Sequence, residues 1–306
     1  MQKQYLGLII SIISVSFASI FILSCQAPPL TIAFYRLLFT TLLLVPLIVI
    51  RQKIREELRT LSRLSILLMI VIGVILAAHF ALWITSLKMT SVASSVILVT
   101  AHPVLVAPVS FYFLKEKLSW VNALGIAISL AGVGVLVIGN YGFAAFGLDT
   151  IEGNVLALLG GIAAGLYILG GRKLRKTVST ISYAFVVYVV GSITLFFICL
   201  TFNTPVINLS LEDYGIILLM ALVSGIFGHT LYNWSLGHIR ASIMSVALLG
   251  EPIGSSLLAF IIPQIVLVSW ISQVPSIYTL IGGGVILIGI YLTARTVQDS
   301  DFLENV

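Results

Sequence analysis

The 306-residue chain is too apolar for a soluble fold, because 59% of its residues are hydrophobic and only 9% are Asp, Glu, Lys or Arg. Soluble domains carry about 25% charged residues, whereas long apolar stretches are typical of membrane spans. The formal charge of +5 does not indicate a nucleic-acid partner, because the basic residues concentrate in alternating loops. Loops of this kind orient a protein in the lipid bilayer.

Hydropathy along the chain predicts ten transmembrane helices. Each segment is close to the roughly 20 residues that cross the hydrocarbon core, and none shows the alternation of a membrane-barrel strand. Helices are then the structure that satisfies every backbone hydrogen bond in lipid. The predicted spans are residues 5–25, 30–50, 64–87, 91–114, 120–139, 153–171, 180–200, 214–236, 240–262 and 275–295.

The positions of Lys and Arg test this count and predict the orientation. With the N-terminus inside, Lys88 is the basic residue of the outer loops and Arg36 lies within a span. The positive-inside rule then predicts cytoplasmic N- and C-termini in a cell (inner) membrane, with residues 296–306 as a cytoplasmic tail. The inner basic residues are Lys3, Arg51, Lys53, Arg55, Arg59, Arg63, Lys115, Lys117, Arg172, Lys173, Arg175, Lys176, Arg240 and Arg295.

Two features lie near the predicted outer ends of helices. Cys25 and Cys199 stand in apolar context without metal-type spacing, and two buried free thiols are favoured over a disulfide. The segment 263–275 is apolar and bounded by prolines. It is predicted either to lie along the outer interface or to extend the ninth span.

The sequence contains an internal repeat of five spans. The first copy is residues 1–139 and the second is residues 153–295. Because five is odd, the copies enter the membrane in opposite orientations, which is the inverted repeat of many secondary transporters. The prediction is therefore an all-α membrane protein with ten transmembrane helices as two inverted five-helix repeats. The aligned pairs are Trp83 with Tyr232, Ser86-Leu87 with Ser235-Leu236, Pro103 with Pro252, Gly125 with Gly282, and Gly132 with Gly289.

Four short motifs occur in a fixed order along the chain. They are A-P-P-L-T-I-A-F-Y-R at 27–36, a proline in span four followed by K-E-K-L at 115–118, G-E-P at 250–252, and G-G-G-V-I-L-I-G at 282–289. At these residues the chain resembles the drug/metabolite transporter superfamily, specifically its EamA-type ten-helix members, over residues 5–295. Two departures are Gln273, where the family normally repeats the acidic residue of Glu116, and the longer 263–275 insertion.

The resemblance implies a transporter without choosing its cargo. Family members mostly export amino acids, related metabolites or toxic compounds, and some import nucleotide-like or sulfonium metabolites. No phosphate loop, metal cluster or catalytic triad occurs in the sequence, so no enzyme activity, metal or cofactor is expected. The expected partner is a small-molecule substrate, with proton or counter-substrate coupling left open, and the unit is a monomer or a homodimer.

Ionisable side chains inside predicted spans are costly, so each is a candidate functional residue. Glu251 lies near the middle of the ninth span, and His102 is its repeat equivalent. Both precede a proline, which can bend a helix at a site. The functional interpretation is a pair facing a central cavity, where Glu251 binds a cationic group or carries a proton. The alternative is a structural contact that braces two helices.

Further candidates come from aromatic and polar residues that share helix faces. His79 and Trp83 lie four residues apart in the third span. Aromatic walls with a few polar groups suit an amphipathic metabolite or a protonated amine, although ordinary packing remains the alternative. The eighth span supplies a second such cluster, made of His229, Tyr232 and Asn233.

Two more residues complete the candidate binding set. Arg36, below the outer end of the second span, either binds a substrate carboxylate or ties to an outer loop, and the structural role is favoured. Tyr167 is a weaker cavity candidate. The sequence thus predicts a secondary carrier that exports amino acids or related amine compounds by alternating access. Import or exchange of nucleotide-like or sulfonium metabolites, and multidrug or organic-cation efflux, stay open, while a lipid-modifying enzyme and a channel are less favoured.

Overall fold

The structure, a computed structural model, describes residues 2–90, 92–142, 151–266 and 276–303. Within these ranges it consists of helices and connecting turns. Nine helical segments in the described part of the chain are long and apolar enough to cross a membrane, by length and composition. A tenth crossing is made by two shorter helices in the fourth predicted span. The predicted all-α architecture of ten spans is confirmed, with the fourth span interrupted.

The first half contains one helix that the hydropathy pattern did not predict. This helix, α3, is short and polar, and it lies between the second and third spans. The predicted fourth span, 91–114, is divided into two helices at Ala101–His102, because Pro103 lacks a backbone N–H and begins a new helix. The helices are α1 Gln2–Ser24, α2 Pro29–Ile50, α3 Gln52–Thr60, α4 Arg63–Met89, α5 Val92–Thr100, α6 Pro103–Leu114 and α7 Trp120–Tyr141.

The second half departs from regular α-helix in two spans. The eighth span changes to a π-helix at Ala221–Thr230, and the ninth contains a 3₁₀ turn at Leu248–Gly250. The last helix continues beyond the predicted end at 295 into the tail. Residues 267–275 of the predicted insertion lie outside the described residues. The α-helices are α8 Ile151–Leu174, α9 Thr180–Thr201, α10 Leu211–Met220, α11 Leu231–Leu236, α12 Ala241–Ala247, α13 Glu251–Val266 and α14 Ile277–Leu303.

The helix interruptions of spans four and nine occupy equivalent positions of the sequence repeat. The turn at Ala101–His102 aligns with Gly250–Glu251, and each is followed directly by a proline. Each span therefore enters the centre of the molecule as one helix and leaves it as another. Discontinuous helices of this kind form the substrate sites of many secondary transporters.

The last helices of the two repeats, α7 and α14, pack against each other through repeat-equivalent glycines. A Cβ on Gly125 would lie 2.7 Å from the carbonyl oxygen of Gly289, and one on Gly132 would lie 2.8 Å from that of Gly282. Only glycine allows backbones to approach this closely. Because the contacts run in opposite directions along the two helices, α7 and α14 are antiparallel, as an inverted repeat requires.

Cys25 and Cys199 are both buried free thiols, as the sequence analysis favoured. The Cys25 thiol donates a hydrogen bond to the Asp213 carboxylate, with 3.1 Å between Sγ and Oδ1. This contact ties the end of α1 to the start of α10. We use the term basic face for the side of the molecule that carries the Lys- and Arg-rich loops 51–63, 115–119 and 175–179, and opposite face for the other side.

Candidate functional site

A cavity of about 60 Å³ lies at the centre of the molecule. Both repeats contribute to its wall, which includes residues of α1, α2, α4, α8, α11 and both helix interruptions. The structure places eight of the nine predicted binding residues on this wall. They are Arg36, His79, Trp83, His102, Tyr167, His229, Tyr232 and Glu251.

The helix interruptions position His102 and Glu251. His102 lies at the N-cap position of α6, and Glu251 is the first residue of α13. The backbone N–H of Glu251 donates to the carbonyl of Leu248 in the preceding 3₁₀ turn. Nδ1 of His102 has no hydrogen-bond partner among the described residues. The bracing contact between His102 and Glu251 is therefore not made through this nitrogen, and both groups face the cavity.

Arg36 forms part of an aromatic stack on the cavity wall. Its guanidinium carbon lies 4.3 Å from the centroid of the Phe80 ring and 5.9 Å from that of Trp83. Trp83 in turn stacks on His79, with the ring centroids 5.8 Å apart and the planes 9° from parallel. Arg36 is only 1% exposed. The predicted tie from Arg36 to an outer loop is wrong, because the side chain lies over these rings and its terminal nitrogens form no hydrogen bond within the described chain.

Backbone contacts fix the orientation of the His79 ring. Its Nδ1 lies 2.9 Å from the carbonyl oxygen of Gly160 on α8, so this nitrogen carries the proton and donates it. On the other side, Phe80 meets the His229 ring edge to face, with 5.2 Å between centroids. Phe80 was missed by the sequence analysis, because an apolar aromatic residue next to His79 carries no signal that separates it from core packing.

His229 belongs to the π-helix of the eighth span. π-Helical turns are rare and occur often at functional sites, where the extra residue per turn redirects side chains. The sequence analysis placed His229, Tyr232 and Asn233 on one face by assuming a regular α-helix. In the structure His229 and Tyr232 line the cavity, whereas Asn233 lies behind the wall and is fully buried.

Asn233 supports the wall from behind. Its amide nitrogen donates to the hydroxyls of Tyr167 and Tyr188, at 2.6 Å and 3.2 Å respectively. Its backbone carbonyl accepts a hydrogen bond of 3.0 Å from Nε of Arg175 on the basic face. Asn233 thus links the cavity wall to the loop between α8 and α9. No pattern in the sequence marked Tyr188, which lies in a span without ionisable acidic or basic residues.

Several buried polar atoms around the cavity have no hydrogen-bond partner among the described residues. They are Nη1 and Nη2 of Arg36, Nε1 of Trp83, Nδ1 of His102 and the hydroxyl of Tyr232. Leaving a buried polar group unpaired costs about 1–3 kcal/mol, so most such groups in proteins are satisfied. The cavity wall therefore carries unused hydrogen-bonding capacity, most of it on donor atoms.

A cluster of buried charged residues lies at the basic face. Nε of Arg172 lies 2.8 Å from Oε1 of Glu116, and the other carboxylate oxygen accepts a 2.9 Å hydrogen bond from the backbone N–H of Ala241. Arg172 also donates from Nη1 to the carbonyl of Leu236 at 2.9 Å. We call Glu116, Arg172 and Arg175 the basic-face cluster. It joins the α6–α7 loop of the first repeat to α8, α11 and α12 of the second.

Arg175 completes this cluster. Besides the bond to Asn233, it donates to the carbonyl of Val178 and to the hydroxyl of Thr180. The sequence analysis counted Arg172 and Arg175 only as loop charges that set the orientation. Their pairing depends on tertiary contacts between distant spans, which the loop composition does not report.

The short helix α3 is attached to the same face by Glu57. Its carboxylate accepts hydrogen bonds from the backbone and hydroxyl of Ser179 and from the hydroxyl of Ser182, at the start of α9. Partial burial raises the pKa of Glu57, but these hydrogen bonds and the nearby Arg175 charge outweigh burial, and the pKa lies below its usual value. The ionised carboxylate therefore stabilises this contact.

The ten spans and the central cavity are typical of polytopic membrane transporters with an internal repeat. The chain belongs to the EamA-like transporter family, which matches residues 2–138 and again residues 151–295. The family thus covers both halves separately, and the resemblance to the drug/metabolite transporter superfamily is confirmed.

Individual relatives carry the same description. An uncharacterized transporter of Archaeoglobus fulgidus is 27% identical over 217 residues, which cover 71% of this chain and 72% of the relative. The uncharacterized transporter YyaM of Bacillus subtilis is 25% identical over 237 residues, covering 74% of this chain and 72% of that protein. A solved crystal structure matches 98% of this chain and 99% of its own chain with a TM-score of 0.76 and 17% identity, which shows a shared fold.

Proposed function

We propose that this protein is a secondary carrier that exports amino acids or related amine compounds by alternating access through the central cavity. The observation that carries the proposal is the position of Glu251, at a helix interruption on the wall of an aromatic cavity shared by both repeats. A carboxylate there suits a substrate ammonium group, and the surrounding rings suit its apolar part.

The basic-face cluster supports a specific access cycle. The ion pair of Glu116 and Arg172 joins the two repeats across the basic face. Releasing it, while the helices at the opposite face come together, would move the opening of the cavity from one side to the other. Under the positive-inside rule the basic face is cytoplasmic, in the cell (inner) membrane, so export loads substrate when this cluster is open.

Energy for export would come from a gradient or from exchange. Glu251 is the group best placed to carry a proton, because it is an acidic side chain within the cavity. Exchange against a counter-substrate is the other source. One chain supplies both halves of the cavity wall, and we propose the monomer as the transport unit, within either a monomer or a homodimer.

The test is counterflow in proteoliposomes that contain the purified protein. Vesicles loaded with each unlabelled compound would be assayed for uptake of its labelled form, across amino acids, amines, nucleosides and organic cations, with and without a pH gradient. We expect saturable counterflow of at least one amino acid or amine. Glu251→Gln is expected to remove it, whereas Glu152→Gln, the same change at an exposed residue, leaves it intact.

Two outcomes would contradict the proposal. Folded protein that gives counterflow only with nucleosides would favour the exchange of nucleotide-like metabolites. Folded protein that supports no counterflow with any compound would argue against a carrier. If Glu251→Gln retained counterflow but lost its dependence on the pH gradient, that result would assign proton transport to Glu251 and the contact with the substrate amine to another group.

A further inference from the structure

We infer that the cavity binds a carboxylate of its ligand at Arg36, so that a ligand must carry an anionic group to bind tightly. This inference rests on the proposed function only in treating the ligand as the transported molecule. Arg36 is buried to 1% exposure, and neither Nη1 nor Nη2 has a hydrogen-bond partner in the described chain. A buried cation without an anion or acceptor is an incomplete arrangement, because burial removes its hydration.

The same protein shows how its other buried arginines are satisfied. Arg172 pairs with Glu116 and with the carbonyl of Leu236, and Arg175 donates to three acceptors. Arg36 differs in that aromatic faces hold its guanidinium plane while its terminal nitrogens stay unpaired. The rings of Phe80 and Trp83 fix the position of the charge and leave its hydrogen-bonding edge for another molecule.

The unpaired atoms nearby define the chemistry of that molecule. Arginine and tryptophan side chains can only donate hydrogen bonds, and a tyrosine hydroxyl donates readily. The unpaired atoms of Arg36 and Trp83 therefore require acceptors, and the Tyr232 hydroxyl can donate to one. A carboxylate matches the guanidinium fork with two parallel bonds and has lone pairs left for a third donor.

The charge balance of the cavity favours a single carboxylate with an ammonium group. Among the described residues, the cavity wall contains one arginine, Arg36, and one glutamate, Glu251. No lysine or aspartate of the described chain lines it. Glu251 attracts Arg36 across the cavity, but Nη1 and Nη2 of Arg36 form no hydrogen bond to Glu251 or to any other described residue. Each charge is thus available to the opposite end of a zwitterion. A phosphate dianion would meet only one cation.

The first experiment measures binding to the purified protein in detergent, independently of transport. The probes are the twenty standard amino acids, their N-acetyl derivatives, which keep only the carboxylate, and their amides, which keep only the ammonium group. The readout is the ligand-induced rise in apparent Tm, followed by titration of each compound that stabilises. We expect stabilisation by at least one amino acid, and at least tenfold weaker binding of its amide. An amide that binds as well as its parent, or no stabilisation by any carboxylate, would overturn the inference.

Three variants separate the two ends of the ligand. Arg36→Gln is expected to weaken binding of the amino acid and of its N-acetyl form by at least tenfold, and Arg36→Lys to restore part of it. Glu251→Gln is expected to weaken the amino acid but to leave the N-acetyl form unchanged. If Arg36→Gln reduced binding of the amide as strongly as that of the N-acetyl form, a carboxylate contact would be excluded.

Stability of the ligand-free protein distinguishes a ligand anchor from a structural brace. Because Nη1 and Nη2 of Arg36 have no partner in the described chain, Arg36→Gln is expected to leave the apparent Tm unchanged or higher, while binding weakens at least tenfold. Arg172→Gln is the matched control and is expected to lower the apparent Tm, because Glu116 would lose its partner. A fall in Arg36→Gln as large as in Arg172→Gln would overturn the inference. Binding without counterflow would refute the carrier proposal and leave the carboxylate site standing.

Discussion

Two regions of this protein bury charged side chains, and they treat them in opposite ways. In the basic-face cluster, Glu116 and Arg172 pair with each other and with backbone groups of neighbouring helices. In the central cavity, Arg36 keeps its terminal nitrogens unpaired, and Glu251 faces the same space. Both regions lie in one small membrane protein and draw on the same residue types.

Paired buried charges stabilise the fold, whereas unpaired ones are available for binding a ligand. Paired buried charges fix the relative position of the elements that carry them, since breaking such a pair strands a charge. Buried polar atoms without a partner cost stability, and they recover the missing hydrogen bonds when a ligand supplies acceptors. The basic-face cluster therefore stabilises the contact between the two repeats, whereas the unpaired groups of the cavity are available to a ligand.

The largest expected effect is on the paired region. Arg172→Leu leaves the Glu116 carboxylate buried and without its cation, so we expect a loss of about 3–5 kcal/mol in stability. Thermal unfolding in detergent measures this loss. The double variant Glu116→Leu/Arg172→Leu removes both charges and is expected to recover a large part of it. Equal instability of the single and double variants would mean that the pair acts through packing and not through charge.

A smaller effect is expected where the two regions meet. Asn233→Ala removes the amide that holds Tyr167 and Tyr188, and two buried hydroxyls lose a partner. We expect about 1–3 kcal/mol of destabilisation and a parallel loss of ligand affinity. The apparent Tm and a binding titration on the same preparation measure both. Intact affinity in a destabilised Asn233→Ala would show that the wall keeps its shape without this support.

An effect on ligand binding is expected at Trp83. Trp83→Phe keeps an aromatic ring beside Arg36 but removes the Nε1 donor, which has no partner in the described chain, and part of a buried indole. We expect ligand binding weaker by about 0.5–1.5 kcal/mol, the net contribution of one hydrogen bond, and a lower apparent Tm, because the smaller ring leaves a gap in the packing. Phe80→Leu is the contrasting variant, because it removes the ring that holds Arg36. Wild-type affinity in Trp83→Phe would mean that Nε1 does not contact the ligand.

The smallest expected effect concerns Glu57 and depends on pH. Its pKa is below the usual value, so its stabilising contribution is present above the unfolded-state pKa, about 4.3, and is lost as pH falls through the lower folded-state value. We expect Glu57→Gln to have a slightly lower apparent Tm than the wild type at neutral pH. The difference should disappear in acid. A difference that is constant across this range would assign it to shape rather than to charge.

Sequence patterns were sufficient for the scaffold and for most of the cavity wall. Hydropathy found every span, because lipid requires about 20 apolar residues for each crossing, and the repeat placed His102 and Glu251 at equivalent positions. Ionisable residues in apolar spans are rare and expensive, so the search for them led directly to the cavity. Whether these residues bind substrate is a prediction for the experiments above.

Three features were not predictable, for physical reasons. The favoured loop contact of Arg36 failed, because its true neighbour Phe80 belongs to another span, and hydropathy reports depth and not pairing. Asn233 was placed on the cavity face because a regular α-helix was assumed, and the change to π-helix just before it has no clear signature. The pairing of Glu116 with Arg172 joins a loop of the first repeat to a helix of the second, which only the folded arrangement reveals.

The presence of one cation and one carboxylate on the cavity wall has an electrical consequence. A membrane potential of 100 mV does about 2.3 kcal/mol of work on each net elementary charge that crosses. When Arg36 and Glu251 are both ionised, they stay with the protein and sum to zero, and a zwitterion bound between them adds no net charge. The membrane potential then does no net work on the loaded carrier. The direction of net transport follows the concentrations of the substrate and of any coupled ion.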